Sequence, residues 1–135
     1  MLRTWAAIPE SVPEICEWVY TSARDVSFPE REAERWVLAV EEVTLNIVKY
    51  AYLEGPAGMI EVETFQSTSG LTVQISDDGR FFNPLAAPDP DVKAPLEERE
   101  VGGLGIYLAR KLVDRIHYER QGEKNILTLS KQLPL

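Results

Sequence analysis

The sequence lacks cysteine pairs and long apolar runs, and each absence narrows the class of protein. The single cysteine, Cys16, cannot form an internal disulfide and stands among apolar residues, so we predict a buried small side chain. No segment approaches the roughly 20 apolar residues that cross a membrane, and the N-terminal residues have no hydrophobic signal core. We therefore expect a cytoplasmic protein without a membrane partner.

Positive charge is also scarce, because 14 basic residues face 22 acidic ones and leave a net charge of −8. This charge opposes nonspecific binding to nucleic acids or anionic lipid, and no basic run is interleaved with aromatic residues. The apolar fraction of 44% and the charged fraction of 27% are ordinary for a globular protein. The 135 residues are predicted to form one domain, which can bury a core without disulfides or a metal.

Hydrophobic periodicity predicts an α+β domain. Helical spacing follows a capping-box pattern at Ser11 and ends near Val26, and it resumes from Phe28-Pro29 to Tyr52. The period then changes to two, which is typical of strands. The predicted strands cover residues 3–8, 59–66, 71–77, 115–120 and 125–132, and a third helix runs from the glycines at 102–105 to residue 114.

The second predicted helix places a carboxylate and a carboxamide one turn apart, at Glu42 and Asn46. Residues four apart share a side of a helix. Both lie about a quarter turn from the centre of the apolar stripe, where packing fixes a side chain that can still face a cleft. The alternative for this stretch alone is a solvated helix flank.

A second polar signal is Asp77, at the end of a predicted strand. It has the same parity as Leu71, Val73 and Ile75, so its carboxylate points toward the core and requires partners there. The alternative is an aspartate that starts the turn before Asp78 and Gly79.

A long aperiodic stretch, 80–101, holds four of the nine prolines and leads directly into Gly102-Gly103-Leu104-Gly105. A loop of this length in a compact domain indicates a lid or a disordered insert. Glycines at a helix start expose backbone N–H groups to an anion.

In this order the three signals resemble the GHKL (histidine kinase-like) ATPase superfamily, and within it the RsbW/SpoIIAB-type anti-sigma factor serine/threonine kinases. The motifs are A-V-E-E-V-T-L-N for the N box, D-D-G-R-F-F-N-P for the first glycine box and G-G-L-G-I-Y-L for the second. The P-loop pattern GxxxxGK[ST] is absent, so nucleotide would be bound in the GHKL way. The resemblance covers nearly the whole chain and implies a two-layer α/β sandwich of the Bergerat type, with a mixed, mainly antiparallel sheet and helices on one face.

The resemblance also implies roles for residues that match the motifs. Asn46 would hold Mg²⁺, which takes oxygen ligands and phosphates, and Glu42 would be the general base toward a protein hydroxyl. Asp77 would accept a hydrogen bond from the adenine amino group, and Gly79 would let the backbone pass close to the base. The lid, approximately residues 82–103, would hinge and bind phosphate through Gly102, Gly103, Leu104 and Gly105.

Three positions depart from the family pattern or match it loosely. Phe81 replaces the second glycine of the first box, which either narrows the adenine end or replaces packing done elsewhere. Tyr50 stands where a histidine is common, so no role of that histidine carries over. Thr128, on the last strand, would reach a water near adenine as in relatives.

The resemblance implies an ATP- and Mg²⁺-dependent kinase that phosphorylates a serine or threonine of a STAS-type anti-anti-sigma protein and sequesters a sigma factor. It further implies a homodimer and a PP2C-type phosphatase in the same pathway. The altered glycine box leaves an alternative, a nucleotide-dependent protein-binding module without catalysis. A histidine-kinase catalytic domain is less favoured because no phosphoacceptor domain precedes the first helix, and His117 is predicted to be a surface strand residue.

Overall fold

The computed structural model describes residues 1–53, 55–86 and 103–133. Five strands and three helices follow the chain in the order β1, α1, α2, β2, β3, α3, β4, β5. Their bounds are β1 Leu2–Ala6, α1 Ser11–Asp25, α2 Glu30–Tyr50, β2 Met59–Gln66, β3 Gly70–Asp77, α3 Gly103–Leu112, β4 Arg115–Gln121 and β5 Lys124–Gln132.

The five strands form one sheet in the order β1-β2-β3-β5-β4, and all four pairings are antiparallel. The predicted mixed sheet is therefore wholly antiparallel in the part of the chain that is described. Along β3, Leu71, Val73, Ile75 and Asp77 are buried, whereas the residues between them are only partly covered. This alternation assigns one face of the sheet to the core, because side chains point to opposite faces of a strand in turn.

The three helices supply the other layer of the core. Trp36, Val40, Val43 and Ile47 of α2 are buried, as the predicted apolar stripe requires. They join one cluster that includes Ile15 and Val19 of α1, Ala109 of α3 and the inward residues of the sheet. The α+β class and two-layer architecture predicted from the sequence are confirmed.

Helix α1 ends in a paired set of backbone hydrogen bonds. Ser27 N–H donates to the Arg24 carbonyl at 3.0 Å, and Phe28 N–H donates to the Ala23 carbonyl at 3.1 Å. These are the two bonds of a Schellman motif, which requires a residue in the left-handed conformation directly after the C-cap of the helix. Ser27 supplies it with φ of 66°, and the fully buried Phe28 supplies the apolar contact that accompanies the motif.

Local details differ from the sequence-based expectation at two points. Ser11 is the first helical residue rather than a capping side chain, since Glu10 occupies the cap position and the cap has no side-chain hydrogen bond. Cys16 is buried as predicted, and burial raises the pKa of its thiol to about 11, with the nearby Glu41 carboxylate adding to the rise.

The predicted lid, residues 82–103, falls mostly outside the described residues, which include only 82–86 and 103 of it. Its extent, and the assignment of 1–135 as a single domain, stay predictions. Among the helices that the structure describes, none combines the length and apolarity needed to cross a membrane.

Candidate functional site

Helix α2 fixes the orientation of the Asn46 side chain. Asn46 is buried, and its Nδ2 donates to the Glu42 backbone carbonyl one turn earlier at 2.8 Å. A carbonyl oxygen accepts only a donor, so the amide nitrogen must face it and Oδ1 must face the other way. In the described part of the chain no donor engages Oδ1, which leaves this oxygen available to a ligand.

Helix α3 approaches this pair closely at Gly105. A β-carbon at this position would lie 2.4 Å from Glu42 Oε2 and 3.8 Å from Asn46 Nδ2. Only glycine leaves room for the Glu42 carboxylate over the first turn of α3. Within residues 1–53, 55–86 and 103–133, neither a hydrogen bond nor an ion pair engages that carboxylate. Glu42, Asn46 and Gly105 are therefore brought together, as the motifs implied.

Asp77 lies at the end of β3 on the core face, as its parity predicted, with 4% of its surface exposed. One oxygen, Oδ1, accepts hydrogen bonds from Gly79 N–H at 2.9 Å and from Asn125 Nδ2 at 3.0 Å. Burial raises the pKa of Asp77, and these two hydrogen bonds act in the opposite direction. The second oxygen, Oδ2, has no protein donor among the described residues.

Asn125, at the start of β5, was not identified as a site residue from the sequence. It pairs with Asp77 across the β3–β5 ladder, and it is 4% exposed. Its Nδ2 donates to Asp77 and, at 2.7 Å, to the Arg80 carbonyl. The parity argument that identified Asp77 also applies to Asn125, which has the same parity along β5 as the buried Leu127 and Leu129.

The side-chain oxygen of Asn125, Oδ1, accepts hydrogen bonds from three donors. They are the Tyr118 hydroxyl at 2.6 Å, Arg120 Nη1 at 3.1 Å and the Phe82 backbone N–H at 3.3 Å. Arg120 Nη1 also donates to the Gly79 carbonyl at 3.0 Å. This network joins strands β4 and β5 to the turn that follows Asp77.

A narrow cavity links the two groups of residues. Its wall includes Asn46, Asp77, Phe82, Tyr118 and Asn125, and its volume is about 10 Å³, roughly the least space that admits one water molecule. A purine ring is larger than this cavity, so residues of its wall, which also includes Pro84, would have to move. Phe81 does not line this cavity, since the residue is 63% exposed and its ring lies edge-on to the Tyr118 ring, with 6.0 Å between the ring centroids. Phe82, not Phe81, is the bulky residue that narrows the cavity.

Two other predicted site residues have surroundings that differ from the expectation. Thr128 pairs with Gln74 and His117 on the opposite, partly open face of the sheet, and its hydroxyl accepts from Gln74 Nε2 at 3.5 Å. Asp77 pairs with Asn125, which lies three residues before Thr128 on β5. Strand residues three apart point to opposite faces, so the structure does not bring Thr128 to Asp77. Gly79 is packed against α2, where a β-carbon would lie 2.5 Å from the Ala51 carbonyl oxygen. The close approach seen at Gly79 is to the protein itself.

Three residues of the second glycine box are only partly described. Gly102 lies outside the described residues. Gly103 begins α3, and Leu104 belongs to its first turn. Their predicted contact with phosphate stays a prediction.

The donor set around Asn46 fits Mg²⁺ shared with a phosphate ligand. The described residues contain no group of three His, Cys, Asp or Glu side chains that could hold a metal ion alone. Mg²⁺ commonly takes one or two protein oxygens and completes its shell with water and phosphate. A single free carboxamide oxygen at the margin of a cavity is consistent with that mode.

Comparison with known proteins gives relatives and a fold neighbour. The chain is 29% identical over 93 residues to the serine/threonine-protein kinase BtrW of Bordetella bronchiseptica, covering 69% of this chain and 66% of that protein. It is 30% identical over 127 residues to the serine-protein kinase RsbW of Bacillus mycoides, covering 86% of this chain and 79% of that protein. The chain thus spans slightly less than two thirds of BtrW.

Among solved structures, the histidine kinase domain of the Erythrobacter litoralis EL346 blue-light activated histidine kinase aligns with a TM-score of 0.58. The alignment covers 92% of this chain and 60% of that chain at 20% identity, which supports the fold alone. The family model described as the histidine kinase-like ATPase domain matches residues 5–131. The resemblance drawn from the motifs is confirmed, and the chain belongs to the histidine kinase-like ATPase domain family.

Proposed function

We propose that this protein is an ATP- and Mg²⁺-dependent serine/threonine protein kinase of the anti-sigma factor type. The observation that carries the proposal is the convergence of Glu42, Asn46 and Gly105, of which Asn46 also lines a cavity whose wall holds Asp77. Phosphoryl transfer requires a protein mainly to position its reactants and neutralise charge. A carboxylate, a free carboxamide oxygen and a helix start at one place suit that task.

Asp77 would recognise the base of the nucleotide. Its Oδ1 is held by Gly79 and Asn125, so Oδ2 is the oxygen that can accept the amino group of adenine. An ionised carboxylate can only accept hydrogen bonds, and it therefore favours an amino group over a carbonyl oxygen at that position.

Asn46 would hold Mg²⁺ through Oδ1, since Nδ2 is held by the Glu42 carbonyl. When bound, the ion would neutralise charge on the phosphate oxygens. The first turn of α3, which begins at Gly103, would present backbone N–H groups to the phosphates.

Glu42 would accept the proton of the attacking hydroxyl. Its carboxylate is half-buried and has no partner within the described residues, so its acceptor capacity is not consumed by the fold. Because Gly105 has no side chain, this carboxylate can lie against the first turn of α3, beside which the phosphates would lie. A positioned base of this kind contributes about 10²- to 10⁴-fold to a rate.

The partners proposed are a STAS-type anti-anti-sigma protein as the phosphorylated substrate and a sigma factor as the sequestered protein. Support comes from the relatives named serine-protein kinase RsbW and serine/threonine-protein kinase BtrW. A homodimer, a cytoplasmic location and a PP2C-type phosphatase that reverses the phosphorylation complete the proposal.

The test is transfer of labelled phosphate from ATP to a purified STAS partner, compared between wild type and Glu42→Gln. We expect the variant to bind ATP and to lose about 10²-fold or more of the transfer rate. Glu41→Gln is the matched control, because the neighbouring carboxylate lies 4.0 Å from Cys16 Sγ on the α1 side of the same helix. Equal transfer by wild type and Glu42→Gln would exclude Glu42 as the base.

The alternative is a nucleotide-dependent binding module that does not transfer phosphate. It predicts ATP binding that depends on Asp77 and ATP-dependent capture of a partner, with no labelled product from the wild type. Absence of any ATP binding in calorimetry would exclude both functions.

A further inference from the structure

The amide of Asn125 is saturated by the protein on both sides. Its Nδ2 donates to Asp77 Oδ1 at 3.0 Å and to the Arg80 carbonyl at 2.7 Å. Its Oδ1 accepts from Tyr118, Arg120 and Phe82. A flipped amide would place like groups together at four contacts, because only the Tyr118 hydroxyl can accept as well as donate. The amide therefore has one allowed orientation, with its N–H group toward Asp77.

This orientation determines which Asp77 oxygen can meet a ligand. Asn125 Nδ2 and Gly79 N–H both bind Oδ1, so rotation of the carboxylate would break two hydrogen bonds in a buried site. Oδ2 is left as the oxygen without a protein donor among the described residues. The same two donors favour the ionised carboxylate, which can accept a hydrogen bond and cannot donate one.

We propose that Asn125 is a specificity-determining positioning residue, which fixes the Asp77 carboxylate so that its Oδ2 selects a purine with a 6-amino group. The inference rests on the proposed nucleotide-binding function and extends it to a residue outside the three motifs. Asn125 acts through Asp77 and has no free polar atom with which to bind the base itself. Thr128, the strand residue that the resemblance implied, lies on the other face of the sheet and has no part in this selection.

A purely structural role for Asn125 makes a different prediction. The network also ties β5 to the turn at 79–82, so its loss would weaken the binding of any nucleotide. A structural role therefore lowers the affinity for every purine triphosphate by the same factor. A positioning role lowers the affinity only for the purine that carries the amino group.

The experiment compares ATP with purine riboside 5′-triphosphate, which lacks only the 6-amino group, by calorimetry with Mg²⁺ present. For the wild type we expect ATP to bind roughly 10- to 100-fold more tightly, the range for a hydrogen bond to a charged acceptor. The ratio of the two dissociation constants is measured again in Asn125→Leu, which keeps the volume, and in Asn125→Asp, which keeps the acceptor for Tyr118 and Arg120. In each variant we expect the ratio to fall by about fivefold or more. Ser130→Ala, on the opposite face of β5 from Asn125, is the control and should keep the wild-type ratio.

Each outcome decides the proposal. A lower ratio in the folded variants supports it, whereas an unchanged ratio with weaker binding of both nucleotides overturns it. If neither variant folds with or without ATP, Asn125 serves the fold and the proposal is overturned. A wild type that binds neither nucleotide refutes the proposed function itself, and this result is distinct from a wild type that prefers ATP while its variants keep that preference.

Discussion

Replacement of Gly105 by alanine should displace the Glu42 carboxylate while leaving the stability of the fold nearly unchanged. The new β-carbon would lie 2.4 Å from Glu42 Oε2, whereas ordinary contact begins at 3.4 Å, so the oxygen must retreat by about 1 Å. The nearest atoms belong to the end of a flexible side chain, which can move without the backbone. Alanine is also a better helix former than glycine by about 1 kcal/mol. We expect the free energy of unfolding to change by less than about 1 kcal/mol.

The same displacement is large on the scale of a reaction. A catalytic group that is misplaced by 1 Å loses on the order of 10²-fold in rate. We therefore expect single-turnover phosphate transfer to the proposed STAS partner to fall about 30- to 100-fold in Gly105→Ala. The affinity for ATP should change by less than about threefold, because Asp77, the proposed contact with the base, lines the cavity and Gly105 does not. Quenched transfer assays, calorimetry and urea unfolding on one preparation measure the three quantities.

The double variant Gly105→Ala with Glu42→Asp provides the internal control. Both changes withdraw the same carboxylate, so their effects on the transfer rate should not add. Full wild-type transfer by Gly105→Ala, in a protein that needs Glu42, would refute the assignment of Glu42 to a base held over α3. Additive losses would show that the two residues act separately, which would also contradict it.

Three further substitutions test the fold and the site. Gly79→Ala should destabilise the protein by about 2 kcal/mol or more in urea unfolding, because its β-carbon would meet the Ala51 backbone carbonyl at 2.5 Å and a backbone cannot move aside cheaply. Ser27→Gly should stabilise it by about 0.5–1 kcal/mol, since Ser27 holds a φ of 66° that glycine adopts without strain; an unchanged urea midpoint would contradict this. Asp77→Asn should abolish ATP binding in calorimetry, because Oδ1 stays held by Gly79 and Asn125 and an amide nitrogen replaces the acceptor Oδ2. Because burial raises the pKa of Asp77 above its ordinary 3.8, the folded state binds the proton more tightly than the unfolded one, and stability from this group falls as pH rises through the raised value. The urea midpoint of Asp77→Asn relative to wild type should therefore increase over that pH range, and a constant difference would contradict the assignment.

Much of the architecture follows from local physical chemistry that the sequence displays. The buried residues of α2 recur at helical spacing, and the predicted strand 59–66 matches β2 at both ends. The inward parity of Asp77 is a property of one strand, which is why it was predicted without knowledge of any neighbour. Ser11 was misjudged because a serine before an apolar run suits both a cap and a first turn, and its burial against the core decides between them.

The contacts between elements required the tertiary structure. The sequence pairs Glu42 with Asn46 because they share one helix, but the approach of Gly105 depends on how α3 packs on α2. Thr128 and Asn125 stand three residues apart on β5, and only the register with β3 places Asn125 beside Asp77 and Thr128 on the opposite face. Likewise, Phe81 and Phe82 are equivalent in the sequence, yet the turn directs the first toward solvent and the second into the cavity. Local periodicity thus predicted the elements and the positions of Glu42, Asn46 and Asp77 within them, whereas packing and strand register decided which residues surround them, because those contacts join parts of the chain that are far apart in sequence.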